Sequence, residues 1–185
     1  MPKETIQQMK KQMEEILEST AKELSGIRTG RATMSLLDGV TVENYGSKSP
    51  ISQVASISIP EARLMVIQPW DKSKLSDIER AILKADLGLN VHSDGKVIRI
   101  TVPELTEERR KDLAKLAKKL AEEGKINLRN ARRDAIDAIK KLEKAGKVPE
   151  DDSRREQDNV QEITNENTKK IDEMFDAKEK EIMKI

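Results

Sequence analysis

The sequence contains no cysteine and very few aromatic residues: one Phe, one Tyr and one Trp among 185 residues. Without cysteine the chain can form no disulfide and perform no thiol chemistry, which is typical of proteins in a reducing compartment. No apolar run approaches the roughly 20 residues that a membrane-spanning helix needs. The polar segment Met1–Thr5 includes an acid and resembles neither a signal peptide nor a transit peptide. We therefore expect a cytoplasmic protein, bacterial rather than organellar, without a membrane partner.

Net charge is almost absent as well, because 35 Lys and Arg residues are balanced by 34 Asp and Glu residues. Total charge therefore favours neither nucleic acid nor a membrane surface as a partner, and any electrostatic function must depend on local segregation of charge. The chain is instead rich in Leu, Ile, Ala and Met together with Glu and Lys. This composition is typical of long helices packed side by side.

The longest uninterrupted pattern runs from Leu105 to Gly146, where apolar residues recur at steps of three and four. Such spacing places them on one face of a single helix. The apolar stripe consists of Leu113, Leu116, Ala117, Leu120, Gly124, Leu128, Ala131, Ala135, Ala138, Ile139 and Leu142. At about 1.5 Å per residue, this helix is on the order of 60 Å long. Gly124 predicts a close approach of a neighbouring helix, with a local helix defect as the alternative.

Basic residues follow one flank of this stripe, and we call them the basic ridge. Its members are Lys111, Lys115, Lys118, Lys125, Arg129, Arg132, Arg133 and Lys140. Only Glu122 and Ile136 interrupt the row. In a helix whose charges served only solubility, acidic and basic side chains would alternate as i,i+4 pairs. The segregation favours a polyanion-binding surface over a solvated face. Arginine at the centre of the ridge favours the phosphates of RNA or DNA. No aromatic residue interleaves with the ridge, which argues against stacking on unpaired bases there.

The remaining chain predicts two more helices and a β-rich insert. Periodic apolar residues indicate a helix over residues 3–27 and another from Pro149 towards the C-terminus. Between them lie β-rich runs at residues 40–45, 54–59, 64–67 and 97–102. Ser76–Glu79 has the form of a capping box and predicts a short helix to about Ala85, and Asp94–Gly95 predicts a hairpin turn.

These elements predict an α+β fold with two domains. Residues 1–30 and 104–185 form an elongated three-helix bundle, and residues 31–103 form an inserted small β/α/β domain. The chain crosses between them twice, near residues 28–31 and 102–105, and both crossings contain Gly or Pro. Two short crossings of this kind predict a hinge.

Four arginines outside the ridge are further candidates for binding a polyanion. Arg109 and Arg110 lie near the start of the long helix, where basic side chains oppose the helix dipole, so they hint at a function. Arg28 and Arg31 lie at the predicted hinge. They either contact a partner or cap the first helix, and the sequence leaves both interpretations open.

Residues that could serve catalysis or metal binding are scattered. His92 is the only histidine, and we expect it in an exposed loop. Tyr45 and Trp70 are expected to fill the core of the small domain. We find no Gly-rich phosphate loop, Ser/His/Asp set or carboxylate pair, and therefore expect no catalytic site, no cofactor and no metal.

Several extended segments resemble the ribosome recycling factor family, and the resemblance covers nearly the whole chain. The segments are Arg28–Ala32, Ser35–Asp38, Lys84–Asn90, Val97–Arg99, Leu105–Lys111 and Arg129–Asp134. The chain departs from the family pattern at Val91, where Pro is frequent, and at Asn44, where an aromatic residue is common. Both departures lie in the small domain and leave the basic ridge unchanged.

The resemblance implies an L-shaped molecule of a three-helix bundle and an αβ domain. It implies a monomer that binds the large ribosomal subunit after termination. With elongation factor G, which hydrolyses GTP, it splits the ribosome for reuse. The residues implied to contact ribosomal RNA are Arg109, Arg110, Arg129, Arg132 and Arg133, with Arg28 and Arg31 less directly implied.

Two other classes of function are alternatives to this one. A coiled-coil scaffold or dimerisation module predicts concentration-dependent association and no affinity for RNA. An enzyme with a site in the small domain predicts a polar cluster there, where the sequence offers only scattered Asp and Lys. Neither class accounts for the basic ridge.

Overall fold

A computed structural model describes residues 2–184 and contains five α-helices and six β-strands within that range. The helices are α1 (Pro2–Ser25), α2 (Ile51–Val54), α3 (Leu75–Lys84), α4 (Glu107–Lys144) and α5 (Glu150–Met183). The strands are β1 (Thr41–Asn44), β2 (Ser47–Pro50), β3 (Ala55–Glu61), β4 (Leu64–Pro69), β5 (Asn90–Ser93) and β6 (Ile98–Thr101). Short 3₁₀ helices span Met34–Leu37 and Lys72–Lys74. The chain divides into two compact units. The helical unit comprises the chain up to Thr29 and again from Glu107 onwards, and the small unit comprises Gly30–Thr106.

The helical unit consists of α1, α4 and α5, each of which packs against the other two. Its core is made almost entirely of aliphatic residues, which interdigitate without the bulk of aromatic rings. The buried cluster contains Ile6, Met9, Met13, Leu17, Ala121, Leu128, Ala131, Ala135, Ile139, Val160, Ile163 and Ile171. The predicted helices are thus confirmed. Of the two neighbouring stripe residues Leu116 and Ala117, Ala117 is buried as predicted, whereas Leu116 is 43% exposed.

The turn between α4 and α5 is fixed by local backbone chemistry. Gly146 has φ +68°, a left-handed conformation that costs glycine little. The Gly146 amide donates to the Glu143 carbonyl at 2.9 Å, and the Lys147 amide donates to the Leu142 carbonyl at 3.0 Å. These two bonds form a Schellman motif, which satisfies the last carbonyls of α4. Pro149 then precedes α5. The two helices run antiparallel, because Lys125 and Arg132 of α4 contact Asp172 and Gln161 of α5 in reverse order.

A side-chain contact joins distant parts of the chain within the helical unit. The Thr29 hydroxyl, just beyond α1, donates to Glu181 Oε1 near the end of α5 at 2.8 Å. Thr29 itself is buried. The segment that leaves α1 is therefore held against the last turns of α5.

The small unit contains a four-stranded antiparallel sheet in the order β3-β4-β6-β5 and a separate β1–β2 hairpin. Helix α3 packs against β1 and β5. The fully buried side chains of the unit are aliphatic, including Met65, Ile67, Ile98 and Ile100 on the two central strands. Alternating burial along β6 gives these strands one core face and one exposed face.

The small unit differs from the sequence expectations in three respects. Tyr45 and Trp70 do not fill its core, because they are 86% and 72% exposed and aliphatic side chains fill that space. His92 is exposed as expected, but it lies in strand β5 rather than in a loop. The capping-box prediction is wrong: α3 begins at Leu75, so Ser76 is already inside the helix and caps nothing.

Candidate nucleic-acid interface

Helix α4 carries the basic ridge on a single side. Helical residues are about 100° apart, so its eight members fall within roughly 100° of arc. The buried residues of α4 occupy an adjacent arc, which faces α1 and α5. Among the ridge positions, Lys111, Lys115, Lys118, Arg129, Arg133 and Lys140 are exposed, whereas Lys125 and Arg132 are partly buried. The last two lie at the edge of the ridge that borders the core.

Lys125 is neutralised by two acids. Its Nζ lies 2.8 Å from Glu122 Oε1 on the same helix and 3.0 Å from Asp172 Oδ1 on α5, and its side chain is only 18% exposed. These contacts raise the pKa of Lys125, first through Glu122 and then through Asp172. The hydrogen bond from Lys125 in turn lowers the pKa of Glu122. Lys125 therefore links α4 to α5 and contributes less to the external potential than its neighbours on the ridge.

Arg132 also faces α5 but retains an unsatisfied donor. One of its terminal nitrogens, Nη1, donates to Gln161 Oε1 at 2.9 Å. Gln161 in turn donates from Nε2 to Asn165 Oδ1 at 2.8 Å, which fixes the orientation of its amide. The Arg132 Nε–H is buried and has no hydrogen-bond partner within residues 2–184.

The rest of the ridge is open to solvent. Arg129 is 57% exposed in its side chain and approaches Glu122 Oε2 at 3.9 Å, a weak contact at the limit of an ion pair. In the described part of the chain, Arg133, Lys115, Lys118 and Lys140 form no ion pair. Arginine and lysine side chains in this state can exchange their hydration for phosphate oxygens at little cost.

The other predicted arginines do not join the ridge. Arg109 and Arg110 lie in the first turn of α4, but helical geometry rotates them by about 200° and 100° from Lys111. Arg110 is half-buried and Arg109 is exposed on the far side of the helix. Arg28 is an exposed residue of the helical unit, whereas Arg31 belongs to the small unit.

Neither a cluster of metal ligands nor a membrane-spanning helix occurs within residues 2–184. Groups of three or more His, Asp or Glu side chains able to hold a metal ion are absent from that range. None of its helices is both long and apolar enough to cross a bilayer. The charged surface of α4 is the most distinctive chemical feature of the helical unit.

Comparison with known proteins extends these observations. The family model described as ribosome recycling factor matches residues 20–183. The ribosome-recycling factor of Halalkalibacterium halodurans is 54% identical over 185 residues, which is 100% of both chains. That of Bacillus subtilis is also 54% identical over the full length of both. The chain belongs to the ribosome recycling factor family.

Solved structures of the family agree with the fold. A solution structure of the ribosome recycling factor has a TM-score of 0.82 and 40% identity, covering 100% of this chain and 98% of that one. A second similar structure comes from models for the T. thermophilus ribosome recycling factor and the E. coli elongation factor G bound to the E. coli post-termination complex. It has a TM-score of 0.68 and 42% identity, with 99% of each chain covered.

Membership of the ribosome recycling factor family confirms the resemblance found in the sequence motifs. The fold class, a bundle of long helices with an inserted small domain, is confirmed as well. Ribosome recycling factors are translation factors rather than enzymes, so this chain is a translation factor.

Proposed function

We propose that this protein binds the large ribosomal subunit after termination. Together with elongation factor G and GTP, which that partner hydrolyses, it splits the post-termination ribosome for reuse. This reaction takes place in the bacterial cytoplasm, and the protein acts as a monomer. The basic ridge of α4 is its anchor on ribosomal RNA. The single observation that carries this assignment is the segregation of cations on one side of α4. On that side, from Lys111 to Lys140, the only acid is Glu122.

The ridge residues have different roles in RNA binding, which follow from their surroundings. Arg129 and Arg133 are exposed and contact phosphates directly. Arg132 is partly buried and is held by Gln161, so it contacts phosphate from the edge of the ridge that borders α5. Lys115, Lys118 and Lys140 extend the positive potential along the helix, and Lys111 does so more weakly because its Nζ lies 2.9 Å from Glu107. Lys125 stabilises the α4–α5 pair.

Arginines away from the ridge are assigned secondary contacts. Arg109 and Arg110 touch RNA near the start of α4, on a different side of the helix. Arg28 and Arg31 touch it near the crossing between the two units. Because these four side chains are spread over separate surfaces, each is expected to contribute less than Arg129 or Arg133.

The test is co-sedimentation with purified large ribosomal subunits across a salt series. The variant Arg129→Glu/Arg133→Glu reverses two exposed charges of the ridge. The matched control, Lys119→Glu/Lys141→Glu, makes the same change in net charge on exposed residues of the same helix that lie off the ridge. We expect the ridge variant to bind at least about tenfold more weakly, and the salt slope to fall by roughly one for each phosphate that it no longer neutralises.

The control decides how the result is understood. If it binds like the unmodified protein, local contacts on the ridge cause the weaker binding. Equal weakening in both variants would mean that only net charge matters and would reject the ridge as a specific anchor. Equal binding by all three proteins would place the anchoring surface elsewhere.

We further propose that the two crossings between the units form a hinge, and that motion about it is needed for splitting. The chain has no native cysteine, so a pair of cysteines introduced to cross-link the two units has no native thiol to compete with it. The oxidised protein should bind large subunits normally but fail to split ribosomes with elongation factor G. Reduction should restore splitting. Full splitting by the oxidised protein would exclude the hinge.

A further inference from the structure

The single Tyr and the single Trp of this chain are both on the surface of the small unit. Tyr45 is 86% exposed and Trp70 is 72% exposed. Aromatic side chains bury large apolar areas when a core has room for them, so exposed rings near cations often mark contacts with a partner. Trp70 immediately precedes Asp71–Lys74, the turn that lies against Tyr45.

Tyr45 occupies a backbone position that is unfavourable for it. The β1–β2 hairpin has a two-residue loop, Tyr45–Gly46, between the paired residues Asn44 and Ser47. Tyr45 has φ +48° and Gly46 has φ +83°, the pattern of a type I′ turn. Asn or Gly adopts the first of these positions at lower cost than Tyr. A bulky exposed residue in a strained turn points to a use for its ring.

A neighbouring lysine orients that ring. Lys74 Nζ lies 5.3 Å from the ring centroid of Tyr45, a cation–π distance. The same ammonium donates to the Glu43 carbonyl at 3.5 Å and lies 3.9 Å from Asp77. Lys74 approaches one face of the ring, and the high exposure of Tyr45 leaves the other face open to solvent.

The open ring borders a cationic groove between the hairpin and α3. The groove has a volume of about 720 Å³, within the range of roughly 300–1,000 Å³ typical of ligand sites. Lys48 from β2 and Arg80 and Lys84 from α3 line it. Arg80 and Lys84 are separated by one helical turn, so their charges lie side by side and repel each other. Across the described residues, these three cations form no ion pair. Two acids also line the groove: Glu43 is the strand neighbour of Lys48, and Asp77 lies 3.9 Å from Lys74.

We propose that this groove binds a short single-stranded nucleic-acid segment, with one base stacked on the open face of Tyr45 and its phosphates on Lys48, Arg80 and Lys84. A flat apolar face beside clustered cations matches the two parts of a nucleotide. An acidic peptide would use the cations but leave the ring unused. The choice of RNA over DNA rests on the proposed function, whereas the site itself lies in the small unit and is independent of the basic ridge.

The test measures fluorescence anisotropy of a labelled adenylate RNA hexamer. The full-length protein carries Arg129→Glu/Arg133→Glu throughout, so that the ridge contributes little to binding. Tyr45→Gly removes the ring and also relieves the strained turn, so it should fold at least as well as the parent. Tyr45→Phe keeps the ring and is the matched control. Thermal unfolding of each variant verifies the fold.

We expect Tyr45→Gly to weaken hexamer binding by about tenfold or more, since stacking on an aromatic side chain is worth roughly that much per base. Tyr45→Phe should bind within about twofold of the parent. Arg80→Glu/Lys84→Glu should abolish binding. An unlabelled hexaglutamate peptide should compete poorly.

Other outcomes overturn the proposal. Equal binding by Tyr45→Gly and the parent would exclude stacking, and so would equal weakening in Tyr45→Gly and Tyr45→Phe, because the hydroxyl would then be the important group. Efficient competition by hexaglutamate would assign the groove to an acidic protein segment. Because large-subunit binding is measured separately with the ridge intact, failure here leaves the ridge assignment unaffected.

Discussion

Gly124 of α4 lies so close to Thr20 of α1 that a β-carbon at position 124 would be 2.6 Å from the Thr20 hydroxyl oxygen. Thr20 is buried, and its hydroxyl donates to the Ile16 carbonyl at 2.8 Å, so the side chain has little freedom to turn away. Ile171 of α5 would lie 3.1 Å from the same β-carbon. The three helices therefore meet at a point where only glycine fits. This confirms the close approach predicted for Gly124 from the apolar stripe.

Gly124→Ala should destabilise the protein by about 1 kcal/mol. Overpacking costs about 1–3 kcal/mol, and the better helix propensity of alanine offsets about 1 kcal/mol of it. Urea unfolding measures the change. In the double variant with Thr20→Ala, the alanine at 124 has room, so the two effects should couple favourably by about 1 kcal/mol. Strictly additive effects would show that the contact is not tight.

Gln161→Leu should weaken binding to large ribosomal subunits without any change of net charge. Gln161 orients the guanidinium of Arg132, and without it the arginine loses its preferred geometry for a phosphate. We expect binding to weaken several-fold in co-sedimentation, with an unchanged salt slope. Gln157→Leu is the control, because the amide of Gln157 bonds to Ser153 within α5. If both variants bind normally, Arg132 does not need this support.

The Lys125 network should make stability depend on pH in both directions. The pKa of Glu122 is lowered below its ordinary value of 4.5, so its stabilising contribution is present at neutral pH and lost as the pH falls through the acid range. The pKa of Lys125 is raised above 10.5, so its contribution persists until the pH rises through that higher value.

Urea unfolding between about pH 7 and pH 3 tests the acid side of this behaviour. Lys125→Met should reduce the fall in stability over that interval, because Glu122 then titrates near its ordinary pKa. Lys119→Met removes only a weak contact with Glu123 at 3.9 Å and should leave the pH dependence unchanged. An unchanged dependence in Lys125→Met would show that the network does not couple to folding.

Trp70 should report an aqueous environment in the folded protein. As the only tryptophan, it gives an unambiguous fluorescence signal, and its 72% exposure predicts an emission maximum and acrylamide quenching close to those of a free tryptophan analogue. Trp70→Ala should change stability by no more than about 0.5 kcal/mol, as for other surface positions. A blue-shifted emission that acrylamide quenches poorly would show that Trp70 lies in the core instead.

Features that depend on a single element can be predicted from the sequence. A 3.6-residue period is a property of one helix, so it predicts α1, α4 and α5 and most of the buried residues of α4. The prediction for Leu116 is wrong because this residue lies at the margin of the stripe, where three helices leave one side uncovered. The basic ridge is recognisable for the same reason as the helices, since its members share one helix.

Features that depend on pairing between elements could not be predicted. Strand β5 contains one strongly apolar residue, Val91, and exists because it pairs with β6 across the Asp94–Gly95 turn. The contacts of Lys125 with Asp172 and of Arg132 with Gln161 depend on the register of α5 against α4. The chemistry of the Tyr45 and Trp70 side chains alone predicts a core position, but aliphatic side chains fill that core.

The hydrogen bond from Thr29 to Glu181 spans 152 positions of the chain. Synthesis proceeds from the N-terminus, so the small unit, which is contiguous, can complete its core while α5 is still inside the peptide tunnel. Helix α1 must wait, because two of its packing partners have not yet been made and a helix of 24 residues alone is marginal in water. The helical unit thus assembles last, after the small unit has folded. Truncation before α5 would leave α1 and α4 as an exposed apolar pair open to chaperones and proteases.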